Sequence, residues 1–240
     1  MSQQLEPIQS LWVGYGLSKL ERMCVQSYLD HGHPFDLYTY NFVSNVPDNV
    51  RVKNADRIVP IEKINQFQNL ANFSDYFRYC MLLANGGYWV DLDNFCLRTY
   101  DFQVPYVFSS QRPGPNSNDS EINAGVIKVP AQSEIMSFCV DQVERTDTKT
   151  SHWSQIGPGL LMDAYHRFGL ERYLKPYHTF CPLDYFGAPA NVISPSHGDY
   201  QFPQETYSVH LWNEEMRRGS VDKDASYPGS LYDRMERKGR

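Results

Sequence analysis

The chain has 240 residues, long enough for one full-sized core, and a single domain over 1–240 is the expectation. Hydrophobic residues make up 41% and aromatics 14%, with 17 tyrosines whose flat bodies and polar tips suit the gripping of bases or sugars. The formal net charge is −6 with no long basic run. That argues against a nucleic-acid partner and requires a local cation, such as a metal ion, if a diphosphate is to be held.

Met1 to Pro7 is polar, without the apolar stretch of a signal peptide, and no run of about 18 apolar residues offers a membrane span. Ile8 to Val13 reads as a first strand, Gly14-Tyr15-Gly16 as a turn, and Leu17 to Asp30 as a helix. Gly32 and Pro34 punctuate before a second strand, Phe35 to Tyr40. Strand, helix, strand opens an α/β sheet with crossover connections. Short apolar pieces follow near Val50 and Ile58. Leu70 to Ala84 carries the clearest helical stripe: Leu70, Phe73, Phe77, Cys80, Met81 and Ala84. Asn72 or Ser74 is placed to cap its start, and Asn85-Gly86-Gly87 to stop it.

Tyr88 to Asp93 and Tyr106 to Ser109 read as strands. The Pro-, Gly-, Asn- and Ser-rich stretch from Gln111 to Ser120 reads as a surface loop. Asn123 to Val129 returns to strand, and Gln132 to Arg145 and Leu160 to Phe168 to helix. Beyond Tyr173 the pattern weakens until a strand-like Tyr207 to Trp212 precedes a polar tail, 213–240, that serves as lid or loose end. The mildly basic Arg234 to Arg240 is either solvated or in contact with an anionic membrane surface. Five cysteines, at 24, 80, 96, 139 and 181, form no C-x-x-C pair, so neither a zinc site nor a disulfide framework is indicated, and a reducing cytoplasm fits.

The chemistry centres on Tyr88-Trp89-Val90-Asp91-Leu92-Asp93. In a strand, Asp91 and Asp93 share one face about 7 Å apart. Two such carboxylates repel unless a cation lies between them or water surrounds them. The apolar neighbours describe a buried strand whose acidic end opens into a cleft, where ligands bind in open α/β sheets. Mg²⁺ or Mn²⁺ fits such a pair together with substrate phosphates. On the preceding helix Asp75 and Arg78 are neighbours on a second face, either a surface ion pair or part of the same cavity.

Phe73-Ser74-Asp75-Tyr76-Phe77-Arg78-Tyr79 followed by Leu82 to Asp93 closely resembles the sugar-binding DXD region of family 32 glycosyltransferases. That group includes fungal initiating mannosyltransferases, α-1,4-galactosyltransferases and bacterial capsule and lipopolysaccharide enzymes. Clostridial glucosylating toxins share the pattern more distantly. The resemblance implies a GT-A fold, a Rossmann-like mixed sheet flanked by helices, and retention of anomeric configuration.

It also assigns expected roles. Asp91, Asp93 and Arg78 carry the catalytic function, and Asp91, Asp93 and His210 hold a Mn²⁺ or Mg²⁺ ion. Trp12, Asp75, Arg78, Asp91, Asn123 and Trp212 contact a nucleotide-sugar donor, with UDP favoured, while Gly157 and Pro158 face the acceptor. Without the resemblance, Trp12 is equally a core residue, His210 a hydrogen-bonded histidine, Asn123 a strand end and Gly157-Pro158 a helix start. The expected function is hexose transfer to a glycan or lipid-linked glycan in polysaccharide, lipopolysaccharide or capsule biosynthesis. The enzyme is expected in the cytoplasm or at the inner face of its membrane. Rivals are a nucleotide-sugar hydrolase or nucleotidyltransferase, and a non-catalytic Ca²⁺-binding module.

Overall fold

The structure is a computed structural model that describes residues 5–117 and 119–238. Met1 to Gln4, Asn118 in the predicted loop, and Gly239 and Arg240 at the basic end lie outside the described residues. Strand β1 (Ile8–Trp12) leads through helix α1 (Lys19–Asp30) to β2 (Phe35–Thr39) and on to β3 (Arg51–Asn54), all parallel. Helix α2 (Leu70–Asn85) returns the chain to the other side of β1, where β4 (Gly87–Val90) pairs parallel with it. Strand β5 (Asn94–Cys96) leaves the sheet, and β6 (Val107–Gln111) and β7 (Glu121–Val129) complete it in antiparallel fashion.

Helices α3 (Glu134–Glu144), α4 (Trp153–Ile156), α5 (Pro158–Arg167) and, after several short turns, α6 (Ala190–Ile193) follow. Strand β8 (Ser208–His210) then pairs antiparallel with β5, and α7 (Asn213–Arg218) and α8 (Leu231–Lys238) end the described chain. The main sheet runs β3-β2-β1-β4-β7-β6, with β5 and β8 as a separate ribbon. The expected α/β architecture, a mixed central sheet flanked by helices, is what the chain adopts. Among the described residues no helix is long and apolar enough to cross a membrane.

The period-two alternation of β4 divides the core. Trp89 packs with Leu11, Phe108 and Ile127 against α2, α3 and α5, while Tyr88 and Val90 join Ile8, Phe35 and α1 on the opposite face. The strand order reverses between β1 and β4. The carboxyl ends of these two strands therefore flank the crevice where ligands of open α/β sheets bind.

Three expectations change. Helix α2 is capped by Asn69, whose side chain accepts the Asn72 amide at 2.9 Å, and neither Asn72 nor Ser74 takes that place. Its apolar stripe is also not its only buried face. Leu70 is 48% exposed and Ala84 exposed, whereas Asp75, Arg78 and Tyr79 are buried: Arg78 bonds Asp75 and Asp91 and lies over the Trp89 ring, and Tyr79 bonds Gly157 O. The segment 213–238, read as a polar tail, folds as α7 and α8. Met216, Leu231, Tyr232 and Met235 are buried there with Leu20, Met23 and Cys24 of α1.

Candidate active site

Strand β4 stops at Val90, short of the expected Asp93. The Asp91 amide donates to Gly125 O at 2.9 Å, and the Asn94 amide then closes back on Asp91 O at 3.0 Å, turning the chain into β5. Asp91 and Asp93 thus sit on a turn at the carboxyl edge of the sheet and are not alternate strand residues. They converge all the same. One ligand atom each from Asp91, Asp93 and His210 lie within 4.8 Å of one another. His210 reaches them because β8 pairs with β5 in a register that sets His210 opposite Asn94.

Each carboxylate is oriented by its own partners. Asp91 Oδ1 accepts from Arg78 Nη2 and from Trp89 Nε1, both at 2.8 Å. Asp93 Oδ2 accepts the Asn213 amide at 2.6 Å and lies 3.2 Å from His210 Nε2. The other imidazole nitrogen of His210 faces Cys181 Sγ at 3.8 Å, and the ring stacks on Trp212 at 4.0 Å between centroids. Burial opposes charge on both His210 and Asp93, and their pairing overcomes it. The imidazole is held well above its ordinary value and the carboxyl below its own. Two carboxylates and an imidazole in this arrangement match the oxygen and nitrogen donors that a divalent cation takes.

Arg78 is the hub behind the turn. Its guanidinium bonds Asp75 Oδ1 at 2.5 Å as well as Asp91, and stands 4.9 Å from the centroid of the Trp89 ring. Burial would lower its pKa, but the two carboxylates raise it. Burial lifts Asp75 to about 6 against the pull of Arg78. The pair is therefore not a surface ion pair.

Of the remaining expected residues, Asn123 and Trp212 join this cluster, through Gly125 and His210. Asn123 is buried on β7, donates to Gln111 Oε1 at 2.6 Å and accepts the Gly125 amide at 2.7 Å, so it shapes the strand whose carbonyl holds Asp91. Trp212 is 9% exposed, with its indole donating to Leu183 O at 2.8 Å and its ring backing His210. Trp12 ends β1 half-buried, its buried indole nitrogen without a hydrogen-bond partner among the described residues. Lys223 Nζ stands 5.9 Å from the Trp12 ring. Gly157 and Pro158 begin α5, and Gly157 O accepts from Tyr79, the residue after Arg78, at 3.0 Å.

Trp89, Cys181 and the Asn213 amide were not among the residues expected at the site. Trp89 was readable, since alternation sets it on the face of Asp91; nothing local marks the other two. Gly125 leaves no room for a side chain. An added Cβ would stand 2.7 Å from Asn123 Oδ1 and 3.2 Å from His210 Cε1. Gly125→Ala is expected to push His210 aside, cost about 1–3 kcal/mol of stability and weaken Mn²⁺ binding about 10–100-fold. Calorimetric titration of Mn²⁺ checks this; unchanged affinity would mean that His210 is not a ligand.

Residues 20–109 match the family model described as a glycosyltransferase sugar-binding region containing a DXD motif. No curated protein matches the chain. Among solved structures, the PaToxG glycosyltransferase is similar over 68% of this chain and 69% of its own, at 13% identity and a TM-score of 0.47. The ligand-free glycosyltransferase domain from the YGT toxin is similar over 90% of this chain and 78% of its own, at 9% identity and a TM-score of 0.42. Likenesses this distant carry no functional weight. The family match covers α2, β4 and the Asp91–Asp93 turn, so this part of the chain is similar to the sugar-binding DXD region of glycosyltransferases.

Proposed function

We propose that the chain is a metal-dependent, retaining glycosyltransferase of the family 32 type, with residues 1–240 as one GT-A unit. It would move a hexose from a nucleotide sugar, UDP-linked by preference, to a glycan acceptor. The observation that carries this reading is the convergence of Asp91, Asp93 and His210 at the carboxyl edge of β4, beside the reversal of strand order.

Asp91, Asp93 and His210 would hold the cation. The imidazole nitrogen favours Mn²⁺ over Mg²⁺, which prefers an all-oxygen shell. When bound, the cation stabilises the negative charge that develops on the departing diphosphate. Arg78 and Trp89 keep Asp91 in place, while the Asn213 amide and His210 fix Asp93. Asp75 and Asn123 are assigned to the donor sugar. Trp12, with its unpartnered indole N–H at the end of β1, is assigned to the base. Trp212 reaches the donor side through His210, and Gly157 and Pro158 face the acceptor. No side chain stands out as a covalent nucleophile, so the acceptor would attack from the side of departure. The 213–240 segment would help to close the donor site, and its basic end suits a protein at the cytoplasmic face of a membrane, acting on lipid-linked, capsular or lipopolysaccharide glycans.

Thermal unfolding against a panel of nucleotide sugars, with and without Mn²⁺, tests the reading. A donor present at about a hundred times its Kd should add about 2.7 kcal/mol to stability, and only with the metal present. A panel without any such shift counts against the assignment. Donor cleavage that no glycan stimulates would identify a hydrolase instead.

A further inference from the structure

An aromatic run leaves the Asp–Asp–His cluster toward the surface. His210 stacks on Trp212, Trp212 meets Tyr185 edge-on with centroids 5.8 Å apart, and Tyr185 meets Phe186 at 5.2 Å. A second connection reaches the same place from the other wall. Asn123 donates to Gln111 at the end of β6, and the next residue, Arg112, grips Asp184 through two bonds, Nε to Oδ1 at 2.8 Å and Nη2 to Oδ2. The Arg112 guanidinium stands 5.6 Å from the ring centroids of both Tyr177 and Phe186. The Tyr185 hydroxyl donates to Pro113 O at 3.4 Å and ties the two connections together.

The result is a ledge bounded by two residues of the site, Asn123 and Trp212. Phe186 is held by the cation and by Tyr185, yet remains 38% exposed. A single exposed phenylalanine is ordinary on a protein surface. What distinguishes this one is that an ion pair and a neighbouring ring fix it, and that its aromatic contacts continue to His210. A pyranose presents an apolar face of C–H groups and an edge of hydroxyls. A fixed phenyl face beside a carboxylate and a guanidinium complements both.

Resting on the glycosyltransferase reading, we propose that Phe186, Tyr185 and Tyr177, with the Arg112–Asp184 pair, form an acceptor subsite that takes a pyranose ring of a glycan. The ring face lies on Phe186, and the ion pair bonds the hydroxyls. The subsite adds an acceptor surface on the Asn123–Trp212 side of the cluster.

Saturation-transfer NMR on the full chain, with the methyl α- and β-pyranosides of glucose, galactose and mannose, tests it. Methyl glycosides carry no aromatic aglycone that would stack by itself. At least one should bind, with saturation strongest at its ring C–H protons. Phe186→Ala should weaken that binding about tenfold, and Phe186→Tyr should restore it. Absence of signal from all six glycosides, or affinity unchanged in Phe186→Ala, would overturn the proposal. This readout needs neither metal nor donor, so its failure is separable from failure of the donor reading. With an active donor in hand, Phe186→Ala should raise the KM for the glycoside and leave acceptor-free donor cleavage at the wild-type rate; loss of both together would also overturn the subsite.

Discussion

Asp93→Asn is expected to lower metal-dependent turnover by at least about 100-fold, since removing even an outer partner of a metal ligand costs 10–100-fold. The structure gives this substitution an unusually clean outcome. Asparagine keeps the shape of the side chain, and its oxygen can still accept the Asn213 amide that Asp93 Oδ2 now takes at 2.6 Å. The negative charge beside His210 disappears, and with it both the proposed cation ligand and the charge that raises the imidazole above its ordinary value. The variant should fold, and its melting temperature should no longer respond to Mn²⁺ while that of the wild type rises. A variant that keeps wild-type turnover in chelator-treated buffer would remove Asp93 from the cation site.

Arg78→Ala should show its largest effect on stability. The guanidinium is buried and serves Asp75 and Asp91 together, at 2.5 and 2.8 Å. Its removal leaves two carboxylates without a counter-charge and empties the space over Trp89. Breaking a buried ion pair from one side costs about 3–5 kcal/mol, a large share of the whole stability of an ordinary domain. Donor use would fall as a consequence, because Asp91 loses the contact that orients it. Urea unfolding of Arg78→Met, alone and combined with Asp75→Asn, separates the causes. Neutralising Asp75 should recover part of the loss if the stranded charge is responsible. If the double variant is no more stable than the single one, the missing packing over Trp89 accounts for the effect.

How far the sequence reveals this site depends on the range of the interaction concerned. The helix, the Gly86-Gly87 stop and the acidic pair are legible because each is a local matter of spacing and backbone conformation. Gly86 and Gly87 both adopt positive φ, +63° and +76°, as a helix stop of this kind requires. The alternation of β4 likewise assigns Tyr88 and Val90 to one face and Trp89 to the other. The end of β4 is not legible. It is set by the turn that the Asn94 amide closes on Asp91 O, and the alternation within 88–93 does not contain that partner.

The same holds for Asp75 and Arg78. A helical wheel separates them from the apolar stripe and leaves two readings, a surface ion pair or a cavity shared with Asp91, and only the bond from Arg78 to Asp91 decides between them. His210 was reached only through the resemblance of its segment, and its position depends on the pairing of β8 with β5. In the 213–238 segment, four buried hydrophobic residues, Met216, Leu231, Tyr232 and Met235, are diluted among charges that conceal their common face. Asn69 and Asn72 offer the same capping chemistry, and only the chain's approach to α2 chooses between them.

The bond between Asp93 and the Asn213 amide joins residues 120 positions apart. During synthesis, α2, β4 and the acidic turn leave the ribosome long before the strand that brings His210 and the helix that begins at Asn213. The nascent chain therefore has Asp91 and Asp93 without His210, and the Asp–Asp–His cluster is complete only when β8 closes on β5. Contacts of such sequence separation form late and slowly. A chain that stops before β8 would keep the whole matched DXD region, and on the proposed site it would hold Mn²⁺ more weakly because His210 is missing. If Asp91, Asp93 and His210 form the proposed cation site, its affinity would report completed folding and not possession of the motif alone.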